Sequence, residues 1–224
     1  MKVVSLWSAG KDSCFACYKA RAMGHQVVSL VNFTQPHGKD SLSHGLSAEL
    51  ISKQAGLTGI PLIQKAMPQG SYEKEFKDLI AQWKKDMGIG GIVFGDIYLK
   101  EHKDWIDRVC KETDIEPILP LWGLNTKQII FDFIDRGFQA IVVCVKQDVL
   151  GNVWLGRRID RDFIEELEIY NSRIDPCGES GEFHTLVTAG PMFNGAIEII
   201  SAGIKEEDGR GFLDIKESRI IDKE

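Results

Sequence analysis

Apolar positions along the chain follow two alternating rhythms. Lys2–Trp7 is a short apolar run that stops at Ser8-Ala9-Gly10, and Cys14–Met23 then reads as a helix closed by Gly24. Gln26–Phe33 is a Val-rich strand, followed by a polar loop from Thr34 to about Ser43. Leu46–Ala55 looks helical and ends at Gly56, and Ile60–Ile63 is a brief strand. Tyr72–Met87 carries Phe76, Leu79, Ile80, Trp83 and Met87 at spacings of three or four, which gathers them on one helix face. Gly91–Phe94 is a strand ending at Gly95-Asp96. Trp105, Ile106, Val109 and Cys110 form another helical stripe, and Ile115–Pro120 is extended. Strands that alternate with helices predict an α/β fold, a parallel sheet covered on both faces.

The rhythm changes after Pro120-Leu121-Trp122-Gly123. Thr126–Arg136 reads as a helix, Ala140–Val145 as a buried strand and Ile159–Tyr170 as a helix. From Asp175 onward come Gly-rich turns and the strands Thr185–Thr188, Ile197–Ser201 and Phe212–Glu217. This predicts two domains, 1–124 and a smaller α+β domain over 125–224.

Composition narrows the function classes. The 224 residues are 43% hydrophobic and 27% charged, which excludes a disordered or low-complexity chain. No apolar run approaches the ~20 residues of a membrane span, and the N-terminus reads as a strand rather than a signal peptide. The net charge of −6 disfavours a general nucleic-acid coat. Cys14, Cys17, Cys110, Cys144 and Cys177 are an odd, scattered set, which points to reduced thiols and a cytoplasmic location.

Ser8-Ala9-Gly10-Lys11-Asp12-Ser13 joins the first strand to the first helix. Such a junction is an anion site on physical grounds, because a helix N-terminus offers unpaired N–H groups and partial positive charge. Lys11 adds a full charge, and the Ser8 and Ser13 hydroxyls add donors. It is not the P-loop of kinases and GTPases, since Ser5 and Asp12 stand where that motif needs Gly and Ser or Thr. The plain alternative is a small-residue turn capped by Asp12. Cys14 and Cys17 form a Cys-x-x-Cys pair, read as packing between helix and sheet in preference to a redox pair. Gly95-Asp96 ends a strand, where ligands of open α/β sheets bind. Asp96 is a candidate for Mg²⁺ or a hydroxyl, with a helix cap as the equal alternative.

The loop resembles the Ser-Gly-Gly-Lys-Asp-Ser pyrophosphatase loop of the adenine nucleotide alpha-hydrolase superfamily, with Ala9 in place of the second Gly and the loop geometry expected to survive. That resemblance implies a Rossmann-like (HUP-type) sheet. It also implies ATP cleaved between its α- and β-phosphates, with Ser8, Ala9, Gly10, Lys11, Asp12, Ser13, Gly95 and Asp96 as cofactor-binding residues. ATP and Mg²⁺ are the expected cofactors, with Asp96 as the metal candidate.

Asp175-Pro176-Cys177-Gly178-Glu179-Ser180-Gly181-Glu182-Phe183-His184-Thr185 sets two glutamates three apart among glycines. Two such carboxylates can bind an amine or ammonium, order Mg²⁺ or act as a general base. A metal cluster of Cys177, Glu179, Glu182 and His184 matches no common zinc pattern, and a solvated turn is the plain alternative. The segment resembles the Gly-Glu-Gly-Gly-Glu-Phe-Glu-Thr signature of the diphthine–ammonia ligase family, with Ser180 and His184 as departures. Phe94-Gly95-Asp96-Ile97, Pro120-Leu121-Trp122-Gly123 and Trp154-Leu155-Gly156-Arg157 resemble further landmarks of that family.

The resemblance implies ATP-dependent, AMP-forming amidation of the diphthine carboxylate on elongation factor 2, with free ammonia as donor. Lys11, Glu179 and Glu182 are the expected catalytic residues. Trp154, Gly156, Arg157, Gly178, Glu179, Gly181, Glu182, His184 and Thr185 are the expected substrate-binding residues, with Arg157 on the substrate carboxylate. His184 in place of Glu removes a negative charge from the acceptor site and leaves room for another carboxylate. The rivals are a ligase or thiolase on the same scaffold acting on RNA, for which Lys84-Lys85 and Arg157-Arg158 with Arg161 are the basic clusters, and a non-catalytic adenine-nucleotide sensor. A homo-oligomer stays open, and no membrane partner is expected.

Overall fold

The structure is a computed structural model that describes residues 1–42 and 44–222. Ser43, at the end of the expected polar loop, and the last two residues of the expected second domain lie outside the described residues. β1 (Lys2–Leu6), β2 (Gln26–Thr34), β3 (Leu62–Ala66), β4 (Gly91–Val93) and β5 (Glu116–Ile118) form one sheet in the order β3-β2-β1-β4-β5. Every pairing in it is parallel. The order reverses direction at β1, so the switch point lies between β1 and β4.

Alternation along β1 sends side chains to both faces. Val3 joins a core shared with α1 (Lys11–Ala22) and α2 (Ala48–Gly56), whereas Val4 joins one with α3 (Tyr72–Met87) and α4 (Lys100–Glu112). The α3 stripe holds as expected: Phe76, Leu79, Ile80 and Trp83 are buried, and Gly88 ends the helix in the left-handed region at φ +65°. β3 starts two residues later than the periodicity predicts. Pro61 has no N–H for the ladder and serves as acceptor for Leu30 N–H, so pairing with β2 begins at Leu62.

The second half contains α5 (Thr126–Asp135), β6 (Gln139–Lys146), α6 (Arg161–Asn171), β7 (Phe183–Ala189), β8 (Gly195–Glu207) and β9 (Arg210–Asp222), with a single 3₁₀ turn over Asn152–Trp154. Asn125 and Asp160 cap α5 and α6 through their side chains. The sheet runs β7-β6-β9-β8 with antiparallel pairings. The α+β expectation is correct in kind, but β8 and β9 are each 13 residues long and form one projecting ribbon. Its turn is Asp208-Gly209 with φ of +50° and +72°, the pair of positive φ values that a two-residue hairpin turn needs. Most of the ribbon is solvated on both faces, so it lacks the one-sided alternation that marks a half-buried strand. The two halves share one apolar core, in which Trp7, Phe15 and Ile51 lie with Phe133, Val142, Phe183 and Phe193.

Candidate functional site

The end of β1, the end of β4 and the Cys177–Thr185 segment meet around a cleft of about 510 Å³. Ser8, Lys11, Asp12, Ser13, Gly95, Asp96, Gly178, Glu179, Gly181, His184 and Thr185 line it. Two segments more than 160 residues apart in sequence thus form one wall. The first turn of α1 already includes Lys11, Asp12 and Ser13, three residues earlier than periodicity suggests, and no side chain of its own N-cap, Gly10, closes it.

Below that turn, Ala9 sits at φ +68°, in the left-handed region, and is fully buried. Alanine thus holds a conformation that costs an L-residue about 1–2 kcal/mol. The Ala9 carbonyl accepts from Val187 N–H (2.9 Å) and from Gln54 Nε2 (2.8 Å), which keeps the turn in place. Gly95 lets the end of β4 close on the loop: a Cβ there would stand 3.0 Å from Ser13 N.

Lys11 is almost fully buried, and its ammonium donates to Asp12 (2.8 Å) and to the Cys177 carbonyl. It lies 5.4 Å from the Phe183 ring centroid. Burial alone would lower the Lys11 pKa. The negative charge of Asp12, with Glu179 further off, outweighs burial and moves it upward, so the cation is retained. Lys11 N–H donates to Thr185 Oγ1 at 3.0 Å, so a hydroxyl from the second half caps one of the free N–H groups of α1.

Glu179 and Glu182 part company. Glu179 faces the cleft, and its Oε1 accepts from Ile97 N–H at 2.9 Å. Burial pushes its carboxyl up to about 7, against the lowering effect of that hydrogen bond. Glu182 turns away from the cleft: its Oε1 accepts from Asp175 N–H at 3.3 Å and its Oε2 is buried without a partner. The alternation of β7 places Glu182 and His184 on one side of the chain and Phe183 and Thr185 on the other, but Glu182 precedes the strand and folds back on its own loop. Glu182, expected as a catalytic residue, thus stands outside the cleft lining and bonds to the Asp175–Gly181 turn. In that turn Gly178 has φ +68°, and a Cβ would lie 2.8 Å from Phe183 O.

Trp154, Gly156 and Arg157, expected to bind substrate, lie apart from the cleft. Trp154 is buried edge-to-face against Phe163 at 5.3 Å, and Gly156 takes φ +77° in the turn that follows. Arg157 does form a bidentate pair, with Glu166 of α6 (2.7 and 2.9 Å), and stacks over Trp154. None of the three lines the cleft. They lock the segment before α6 to the helix. Cys14 and Cys17 pack in the core, and burial raises both thiols, Cys17 to about 11, which fits the packing reading.

Two cleft residues, His44 and His102, and the buried Gln54 beneath the Lys11 turn escaped sequence reasoning. His44 stacks on His184 with centroids 4.6 Å apart and packs against Gly10. Burial holds His44 down to about 4 and takes His184 well below its usual value, so the pair is neutral at pH 7. Nothing in the polar Thr34–Ser43 run and its neighbours marks His44. Gln54 is fully buried. It accepts from Trp7 Nε1–H (2.8 Å) and donates to Ala9 O and Val187 O (2.8 and 2.7 Å), tying the β1 turn to β7. A glutamine on the inward stripe of an otherwise apolar helix face was its signal. His102 Nδ1 lies 3.0 Å from Asp96 Oδ1 and shares the cleft wall with it.

Among the described residues no group of three or more His, Cys, Asp or Glu is arranged as a metal cluster. A cation shared with phosphates needs fewer protein ligands. Asp12 Oδ1 is buried without a partner, and Asp96 stands on the same wall, which fits Mg²⁺ held by one or two carboxylates and a bound phosphate. No helix among the described residues is long and apolar enough to cross a membrane.

A parallel sheet with a small-residue turn opening a helix at its switch point defines the class: an α/β protein built to seat a phosphate-bearing ligand. Family models described as the diphthamide synthase N-terminal and C-terminal domains match residues 1–117 and 125–221. The chain belongs to the diphthamide synthase family. Curated relatives named diphthine–ammonia ligase include those of Bos taurus and Homo sapiens, both 25% identical, with alignments covering 99% of this chain and 91% of theirs. The Schizosaccharomyces pombe relative of the same name is 26% identical over 92% of this chain, which spans only 37% of that longer protein. Among solved structures, a Methanocaldococcus jannaschii protein described as a subunit of tRNA methyltransferase aligns with a TM-score of 0.47 at 15% identity, over 85% of this chain and 98% of that one.

Proposed function

We propose that this protein is an ATP-dependent ligase that converts the carboxylate of diphthine on elongation factor 2 to the amide, with ammonia as donor and AMP and pyrophosphate as products. In this reading residues 1–124 bind the nucleotide and 125–224 bind the acceptor. The observation that carries it is the junction of the Lys11 turn with Glu179 in one cleft, in a chain whose relatives are named for this reaction.

Phosphates sit at the open N-terminus of α1, held by its N–H groups, Lys11 and the Ser8 and Ser13 hydroxyls. Asp12 and Asp96 would hold Mg²⁺ there, and the ion would supply neutralisation of the phosphate charge. An acceptor carboxylate oxygen bonds to the α-phosphorus while the bond to pyrophosphate breaks. Ammonia then attacks the acyl carbon, the bond to AMP breaks, and Glu179 takes the proton released from nitrogen. A carboxylate that titrates near 7 is suited to that step. A nucleotide sensor has no use for such a base facing its ligand.

The test incubates the protein with ATP, Mg²⁺, ammonium and diphthine-bearing elongation factor 2, and follows AMP and the acid-to-amide mass change. AMP formed with the amide, and lost in Lys11→Ala, supports the reading. ATP bound but never cleaved in the presence of acceptor refutes it.

A further inference from the structure

A second chamber of about 760 Å³ opens beside the nucleotide cleft, between the loop around Gln35–Gly45 and the turn of the β8–β9 ribbon. Ser41, Leu42 and His184 line both spaces and form the neck between them. At the inner end lies Arg210, the first residue of β9. Its guanidinium donates to the Gly181 carbonyl at 3.2 Å and approaches the Cys144 sulfur at 3.8 Å. Among the described residues it forms no ion pair. Arg108, Arg136, Arg157, Arg161 and Arg219 each meet a carboxylate. Arg21, Arg158 and Arg173 also lack one among the described residues, but of these four only Arg210 lines the cleft or the chamber. Glu207, its cross-strand neighbour, is engaged by Lys205 at 2.6 Å. Arg210 is thus a half-buried cation fixed by the turn that also carries Glu179, with donors left over.

We propose that Arg210 binds the carboxylate of the acceptor, which enters through this second chamber and reaches the nucleotide past His184. The inference rests on the function proposed above and names the residue that role requires, in place of Arg157. A guanidinium matches a carboxylate through two parallel N–H···O bonds, which orient one oxygen toward its reaction partner. The charges around it define the substrate class. Asp40, Glu207, Asp208 and Asp214 face Lys205 and Arg210 in the chamber. A polyanion such as RNA is repelled by that excess, whereas a single carboxylate on a neutral or cationic side chain is accepted. His184 at the neck, with His44 stacked behind it on the cleft side, gives such an occupant an aromatic wall. The two neutral imidazoles add no charge that would hold the carboxylate short of the cleft.

The test measures steady-state kinetics with diphthine-bearing elongation factor 2 for the wild type, Arg210→Gln and Arg210→Lys, with ATP affinity and thermal melting measured on each. Losing a charge-assisted pair raises the acceptor KM about 10–100-fold. ATP Kd stays within about twofold, because Arg210 does not line the nucleotide cleft, and any fall in saturating kcat is smaller than the rise in KM. Arg210→Lys keeps the charge without the fork and regains part of the loss. An acceptor KM unchanged in a folded Arg210→Gln protein overturns the inference and leaves the ligase reading intact. Should Arg210→Gln not fold, an unchanged KM in Arg210→Met, which keeps the stem without the charge, overturns it equally. A wild type that makes no AMP with this acceptor removes the ligase reading, and the inference with it.

Discussion

Replacing Gln54 by leucine severs the clasp between the phosphate-type turn and β7 without opening a cavity, since the two side chains have similar volumes. Three buried hydrogen bonds disappear: the one from Trp7 Nε1–H and the two to Ala9 O and Val187 O. The indole donor is the costly loss, because Trp7 is buried and Gln54 is its hydrogen-bond partner. An orphaned buried donor costs about 1–3 kcal/mol, and each amide–carbonyl bond contributes about 1 kcal/mol net. Ala9 O keeps its bond from Val187 N–H, so its share lies at the low end. The sum is about 3–4 kcal/mol, equivalent to a fall in Tm of about 10 °C for a chain of this size. Urea titration measures the free energy, and ATP affinity read on the same protein falls because Ala9 is no longer held from below. Trp7→Phe with Gln54→Leu completes a cycle. Once both partners are apolar the orphan penalty vanishes, so the double variant is more stable than the sum of the single losses by at least about 1 kcal/mol. A single-variant loss below about 1 kcal/mol, or an additive cycle, refutes the clasp.

Glu179→Gln lowers kcat about 10²–10⁴-fold while ATP affinity holds. In the wild type kcat rises with pH through a midpoint near 7, as Glu179 loses its proton and becomes a base, and the variant lacks that limb. A wild-type profile flat between about pH 6 and 8 removes Glu179 from the proton transfer. Arg157→Gln breaks a partly exposed pair with Glu166 and leaves the acceptor KM within about twofold, read in the same assay as the Arg210 variants. A large rise in KM restores Arg157 to the acceptor site. Ala9→Gly relieves about 1–2 kcal/mol of left-handed strain. It also frees the unfolded chain by about 0.4–1 kcal/mol and gives up a buried methyl worth about 0.8 kcal/mol. Urea unfolding therefore changes by less than about 1 kcal/mol, and a loss above about 2 kcal/mol shows that methyl packing dominates that position.

The parts of the fold legible in the sequence are those in which one rhythm serves one environment. Val3 and Val4 divide between two cores, and Phe76, Leu79, Ile80 and Trp83 meet the sheet on one face, so alternation and helical spacing locate β1 and α3 correctly. The β8–β9 ribbon defeats the same reasoning because both its faces are wet, although Asp208-Gly209 carried a turn signal that needs no burial to be read. At the cleft, residue type and local spacing pointed to Lys11 and Glu179, which line it, since both lie in short strings of unusual composition. They could not separate Glu179 from Glu182, which share type, spacing and glycine neighbours. Only the backbone path decides which carboxylate faces the cleft.

Arg157 and Arg210 carry that argument one step further. Both are arginines next to turns in the second half, and sequence favours Arg157 because it sits in a string with a recognisable pattern. Its pattern is explained by packing: Trp154 fills the core, Gly156 makes the turn and Glu166 occupies the guanidinium. A side chain whose hydrogen-bonding capacity is already used within the protein has little left for a substrate. Arg210 lies in no motif, and its partners are a carbonyl and a thiol, so no carboxylate pairs with it directly in a chamber that meets the nucleotide cleft. For a charged side chain, the missing counter-charge is the more direct pointer to a ligand, and it becomes visible only once the chain is folded.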